Sequence, residues 1–209
     1  MSPPSQERSS YYQTLDEWTR STKVFEGFES RLYIYATYKS MDFRKAYIDE
    51  YAERYQLEDD YKNALLERES LLNRKYNEFF ISAFTPVDEW NDFDKRGSIW
   101  RLYLSDNNGL RVEPLEIRKV DSKDPVYGEF FPFLDPWSRG YLVRFPRYDY
   151  KGRGPIGEEE SEYLKLTVTG IKGRGELVWS LKPDRQAGGI KGGPDPVDGE
   201  LKKNHGDAP

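Results

Sequence analysis

The spacing of the apolar residues changes near Glu78, and that change constrains the fold more than any single motif. Between Ser40 and Tyr76 apolar side chains recur every three or four residues. The first stripe is Phe43, Ala46, Tyr47, Tyr51 and Tyr55; the second is Leu57, Tyr61, Ala64, Leu65, Leu72 and Tyr76. Ser40 suits an N-cap, because its hydroxyl can accept from a first-turn amide. Glu58, Asp59 and Asp60 suit the positive end of a second helix dipole. A joint near Gln56 is short enough to make the two helices antiparallel neighbours. The stretch from about 40 to 78 is therefore expected to be a helical hairpin.

After Glu78 the period is two. Phe79 to Pro86 (FFISAFTP) is a strand candidate, and Ser98 to Val120 reads as a hairpin around Asp106-Asn-Asn-Gly109. Tyr141, Val143 and Phe145 alternate with Leu142 and Arg144, and Leu164, Leu166 and Val168 with Lys165, Thr167 and Thr169. Leu177, Trp179 and Leu181 repeat the pattern after a glycine-rich turn, and Arg31 to Lys39 (RLYIYATYK) supplies an aromatic, β-branched strand before the helices. Thr14-Leu-Asp-Glu17 matches a capping box and predicts a short helix carrying Leu15 and Trp18. About seven short strands between turn signals predict an α+β chain: an immunoglobulin-like antiparallel β-sandwich with the helical hairpin inserted after its first strand. Two narrow-striped helices bury little alone, which favours insertion over a separate helical domain.

The ends differ from the middle. Residues 1–10 are polar with adjacent prolines, and residues 183–209 are rich in glycine and proline with balanced charge. Neither can bury enough surface to offset backbone entropy, so both are expected to be disordered, leaving one domain over residues 11–182. Mean hydropathy is low at −0.89, yet aromatic residues make up 15% of the chain, which a disordered protein would lack. No apolar run reaches the length of a membrane span, and no apolar leader opens the sequence.

Composition removes several chemistries. Cysteine is absent, so there is no disulfide, thiol nucleophile or zinc ribbon. The single histidine, His205, lies in the polar tail, which leaves no ordered histidine for a catalytic triad or a two-histidine metal site. A net charge of −5 argues against a nucleic-acid partner. No cofactor is expected. Gly152-Arg-Gly154-Pro-Ile-Gly157 satisfies G-x-G-x-x-G, but Glu158, Glu159 and Glu160 follow it and would repel a phosphate. Asp92 to Gly97 opens like an EF-hand loop, then places Arg96 and Tyr103 where oxygen ligands belong. A looser calcium site on Asp88, Asp92 and Asp94 is the remaining metal option; no metal ligands are assigned.

Phe130-Phe-Pro-Phe-Leu-Asp-Pro-Trp137 is the most distinctive string. Its two prolines exclude a regular central strand. Its rings either cap an open end of the sandwich or present an aromatic surface formed by Phe131, Phe133 and Trp137 with Trp90 nearby. Aromatic side chains carry much of the energy of binding interfaces.

The strings RLYIYATYKS with the following helical hairpin, FFISAFTPVDEW, SIWRLYL and FFPFLDPWSRGYLVRFP resemble bacterial envelope proteins of the lipoprotein type over roughly Tyr11 to Leu181. That resemblance implies a leader ending in a lipidated cysteine and hence a lipid-anchored precursor. It places the chain in the periplasm or on the outer membrane, with the cytoplasm as the alternative. With no catalytic motif matched, the expected function is a non-enzymatic binding or structural module engaging a protein partner. The alternative is a protein that binds or hydrolyses carbohydrate through the 130–137 aromatics and nearby carboxylates.

Overall fold

A computed structural model describes residues 9–121, 123–157 and 161–181. In chain order the described residues form helix α1 (Ser10–Trp18), strands β1 (Thr19–Glu26) and β2 (Glu29–Tyr38), and helices α2 (Met41–Tyr55) and α3 (Asp59–Lys75). Strands β3 (Tyr76–Phe84), β4 (Trp100–Asp106), β5 (Arg111–Val112) and β6 (Glu116–Lys119) follow, then helix α4 (Pro125–Phe130) and strands β7 (Arg139–Pro146), β8 (Tyr163–Gly170) and β9 (Gly173–Ser180). The chain is α+β with two antiparallel sheets, ordered β1-β2-β3-β7-β6 and β5-β4-β8-β9.

The sheets pack face to face. Leu32, Ile34, Phe79, Ile81 and Val143 of the five-stranded sheet meet Trp100, Leu102, Leu166, Val168 and Trp179 of the four-stranded one in a single core. A second core lies on the outer face of the five-stranded sheet, where Phe80 is covered by Tyr11 and Leu15 of α1, Phe43 of α2, and Phe130 and Phe131. Strand β3 is thus buried on both faces, so Phe79, Phe80 and Ile81 follow one another without polar alternation.

The expected helical hairpin is present and joins the neighbouring strands β2 and β3. Ser40 is its N-cap, accepting from the Phe43 amide at 3.1 Å, and Gln56 ends α2 with a left-handed φ of 50°. The Asp106–Leu110 turn also forms as expected: Asp106 Oδ1 accepts from the Asn108 and Leu110 amides, and Gly109 takes φ 75°.

Three expectations are corrected. The strands number nine among the described residues, not seven. One addition is β1, and the other arises because the second arm of the expected 98–120 hairpin divides. Arg111–Val112 pairs with β4, the chain crosses at Glu113-Pro114-Leu115, and Glu116–Lys119 pairs with β7 in the other sheet. Pro114, lacking an N–H, suits a break in pairing. The helix expected from the Thr14 capping box begins four residues earlier, at Ser10, and Thr14 donates to the Ser10 carbonyl inside it. Tyr11 holds that first turn by burying its ring and donating to the Phe130 carbonyl at 2.6 Å. Finally, Phe130 and Phe131 cover the outer face of the sheet instead of capping an end of the sandwich. The tail readings for residues 1–8 and 183–209, and His205, lie outside the described residues.

Candidate binding cleft

Strand registers dictate what the outer face of the five-stranded sheet offers, since directly paired residues share a face. One row is Thr37, Phe80, Leu142 and Arg118. The next is Glu78, Arg144 and Glu116, with Lys39 beside Glu78 at the end of β2. The first row continues the second core; the second row is charged, and the helical hairpin lies over it. Helix α3 contributes Tyr61, Leu65, Arg68, Glu69 and Leu72, which recur at helical spacing on one face. Yet none of its residues is buried. The helix stands off the sheet and leaves a cleft of about 390 Å³.

At the closed end of the cleft is a buried ion cluster. Glu78 is 1% exposed and accepts from Lys39 Nζ at 2.6 Å on one oxygen and Arg144 Nε at 2.6 Å on the other. Arg44 is equally buried; its Nε donates to the Lys39 carbonyl at 2.8 Å and one terminal nitrogen pairs with Glu69. Its other terminal nitrogen makes no hydrogen bond and lies 3.6 Å from Glu78 Oε1. Burial pushes the Glu78 pKa up, but Lys39, Arg44 and Arg144 outweigh it and bring the value down to about 2. Glu78 is therefore ionised at neutral pH, with both oxygens engaged. Such an arrangement fixes the hairpin on the sheet: a buried carboxylate without these cations would be costly.

The open part of the cleft is different. Its walls include Tyr47, Tyr51, Tyr61 and Tyr127, with Leu65, Leu72 and Leu142 between them. Burial, reinforced by Tyr127 and Tyr51, raises the Tyr47 hydroxyl above its ordinary pKa, so it stays a neutral donor. Arg68 and Arg118 stand on the lining with no ion-pair partner among the described residues. Counted over the lining, five cations face three carboxylates, Glu69, Glu78 and Asp124. The cleft is thus electropositive in a chain with net charge −5. Its volume falls in the usual range for small-molecule sites.

The residues singled out in the sequence are dispersed. Phe131 is buried, stacked on Phe80 at 3.8 Å, and forms part of the cleft lining. Phe133 is half-buried and stacks on Tyr35 at 5.3 Å. Trp137 is 79% exposed. Trp90 lies in a 3-10 turn beneath Arg31 and Lys172. Asp88 pairs with Arg139, and Asp92 accepts from Ser98. Among the described residues no group of His, Cys, Asp or Glu is gathered to hold a metal ion. The G-x-G-x-x-G segment, Gly152 to Gly157, is a loop after β7. Of the residues singled out in the sequence as a binding surface, Phe131 alone lines the cleft. A signal for the ion cluster did exist: Glu78 directly precedes the mostly apolar run of residues 79–84, where a charge demands partners.

Compared with models of known protein families, with curated proteins and with solved structures, the chain matches none.

Proposed function

We propose that the protein is a non-enzymatic binding module whose cleft beneath the helical hairpin takes a small anionic ligand with a flat or apolar body. The observation that carries this is the pair Arg68 and Arg118, two cations with no ion-pair partner among the described residues, on the lining of a tyrosine-walled cleft. An unpaired guanidinium is suited to a carboxylate or phosphate, because its planar fork donates two parallel hydrogen bonds. Tyrosine walls accept an aromatic or aliphatic body. Binding is favoured over catalysis because Glu78 has both oxygens occupied and a pKa far from neutrality, which suits neither a general acid nor a general base at pH 7.

The test is thermal denaturation with benzoate, phenyl phosphate and inorganic phosphate as probes. An aromatic anion is expected to raise Tm, and the Arg68→Ala/Arg118→Ala double variant to remove the rise. No rise with any probe, or a rise that survives the double variant, defeats the proposal.

A protein partner on the hairpin is a second reading, favoured by the exposure of Tyr55, Tyr61 and Leu71 there. Crosslinking of the full chain through a photoreactive group at Leu71 tests it. An envelope location rests on the resemblance alone; no helix among the described residues is long and apolar enough to cross a membrane, and fractionation of the native host tests the location. An immunoglobulin-like relationship is supported only by two antiparallel sheets packed face to face.

A further inference from the structure

The register of both sheets brings the β1–β2 turn, the β8–β9 turn, the loop after β3 and the approach to β7 to one end of the sandwich. Glu26 pairs with Glu29, Ala83 with Arg139, and Gly170 with both Gly173 and Trp100. Contacts between loops confirm it: Lys172 is 3.8 Å from Glu26 and 4.6 Å from the Trp90 ring, and Arg139 pairs with Asp88.

This end is capped by apolar side chains that nothing among the described residues covers. Phe28, beside the positive-φ Gly27 of one turn, is 105% exposed. Ile171 in the second turn and Trp137 before β7 are each 79% exposed. A fully exposed phenylalanine at a hairpin tip forgoes the burial that usually fixes aromatic residues, and three such residues on separate loops exceed scattered surface apolarity.

Behind the tips lies a layer of different chemistry. The Trp90 ring is held between Arg31, 5.6 Å away, and Lys172. The order from the tip inward is aliphatic and aromatic side chains, then tryptophan with arginine and lysine. That sequence of chemistries matches the depth profile of a lipid interface, where apolar groups enter the acyl region and tryptophan and cations lie at the headgroups. The tips are convex and carried on separate loops, so a rigid protein surface would need a distinct pocket for each, whereas a fluid bilayer conforms to all.

We propose that this end of the sandwich inserts into a phospholipid bilayer surface. The cations beside the tips are already paired, Arg31 with Glu26 and Glu29 and Lys172 with Glu26. Attachment therefore depends on apolar insertion and not on attraction to anionic headgroups.

Co-sedimentation of the full chain with phosphatidylcholine vesicles tests this, independently of the cleft. The protein is expected to sediment with the vesicles equally in low salt and in about 0.5 M NaCl, where surface charge is screened. Phe28→Ser combined with Ile171→Ser is expected to weaken partitioning by more than about tenfold, from the apolar area lost, while leaving Tm unchanged. No sedimentation of the wild type, or an undiminished double variant, overturns the proposal. Binding confined to anionic vesicles and abolished by salt does so too. So does a vesicle-free dimer, seen by analytical ultracentrifugation, that the double variant dissolves, since a second copy would then own the tips.

Discussion

Replacing Glu78 by glutamine keeps the shape of the side chain, removes its charge and leaves Lys39, Arg44 and Arg144 facing one another. The cost follows from the titration of the carboxylate. Its pKa is about 2 in the folded chain against an ordinary 4.5, and that difference corresponds to about 3 kcal/mol at neutral pH. Removing one partner of a buried ion pair costs about 3–5 kcal/mol in general, so the two routes agree. Because the folded pKa is depressed, the stabilisation is complete above the unfolded value and is lost as pH falls from 4.5 towards 2. Urea unfolding of wild type and Glu78→Gln across pH reads this directly. A gap of about 3 kcal/mol is expected near pH 7, shrinking to roughly half or less by about pH 3, because the carboxylate of the unfolded chain takes up its proton there while the folded one stays largely ionised. A gap below about 1 kcal/mol at neutral pH, or one that does not change with pH, would refute the reasoning that the cluster clamps the hairpin.

Three further outcomes are expected. Ser40→Ala removes the cap that accepts from the Phe43 amide and is expected to cost about 1 kcal/mol in urea unfolding. Gln56→Gly relieves a left-handed backbone at the end of α2 and should stabilise the protein by up to about 1 kcal/mol, read as a higher urea midpoint with unchanged m. Gly170→Ala would place a methyl 2.1 Å from the Ile99 carbonyl oxygen; thermal unfolding should show a loss of about 1–3 kcal/mol, since backbone must move to admit it.

What the sequence revealed follows from where each interaction is encoded. Ser40, Gln56 and the Asp106–Gly109 turn act within a few residues of themselves, so their chemistry is visible locally. Strand β1 was hidden because Thr19–Glu26 is an edge strand with a single buried side chain, Val24, and carries no apolar alternation. The division of the 98–120 hairpin was hidden for another reason. Val112 and Ile117 find their partners in different sheets, on Leu104 and Val143, and no local pattern records which partner a short strand will choose. The cleft is the extreme case. Lys39, Arg44, Glu69, Glu78 and Arg144 come from the end of β2, from α2, from α3, from β3 and from β7, and only the topology brings them together.

The cluster also links the stability of the hairpin to the charge of the cleft. Strand β3 is covered on both faces, so its one carboxylate, Glu78, recruits cations from the neighbouring strands, Lys39 and Arg144, and from the covering helix, Arg44. Arg44 thereby holds α2 against the sheet, and Glu69 ties in the next helix through it. Because Lys39, Arg44 and Arg144 are committed to these carboxylates, the charge available to a ligand is carried by Arg68 and Arg118. Protonating Glu78 would add a positive charge to the lining and release the clamp at the same time. Affinity for an anion gained by acidification would therefore come at the expense of the wall that helps to form the site. The cleft can serve as an anion site only at pH values where Glu78 remains ionised, well above its pKa of about 2.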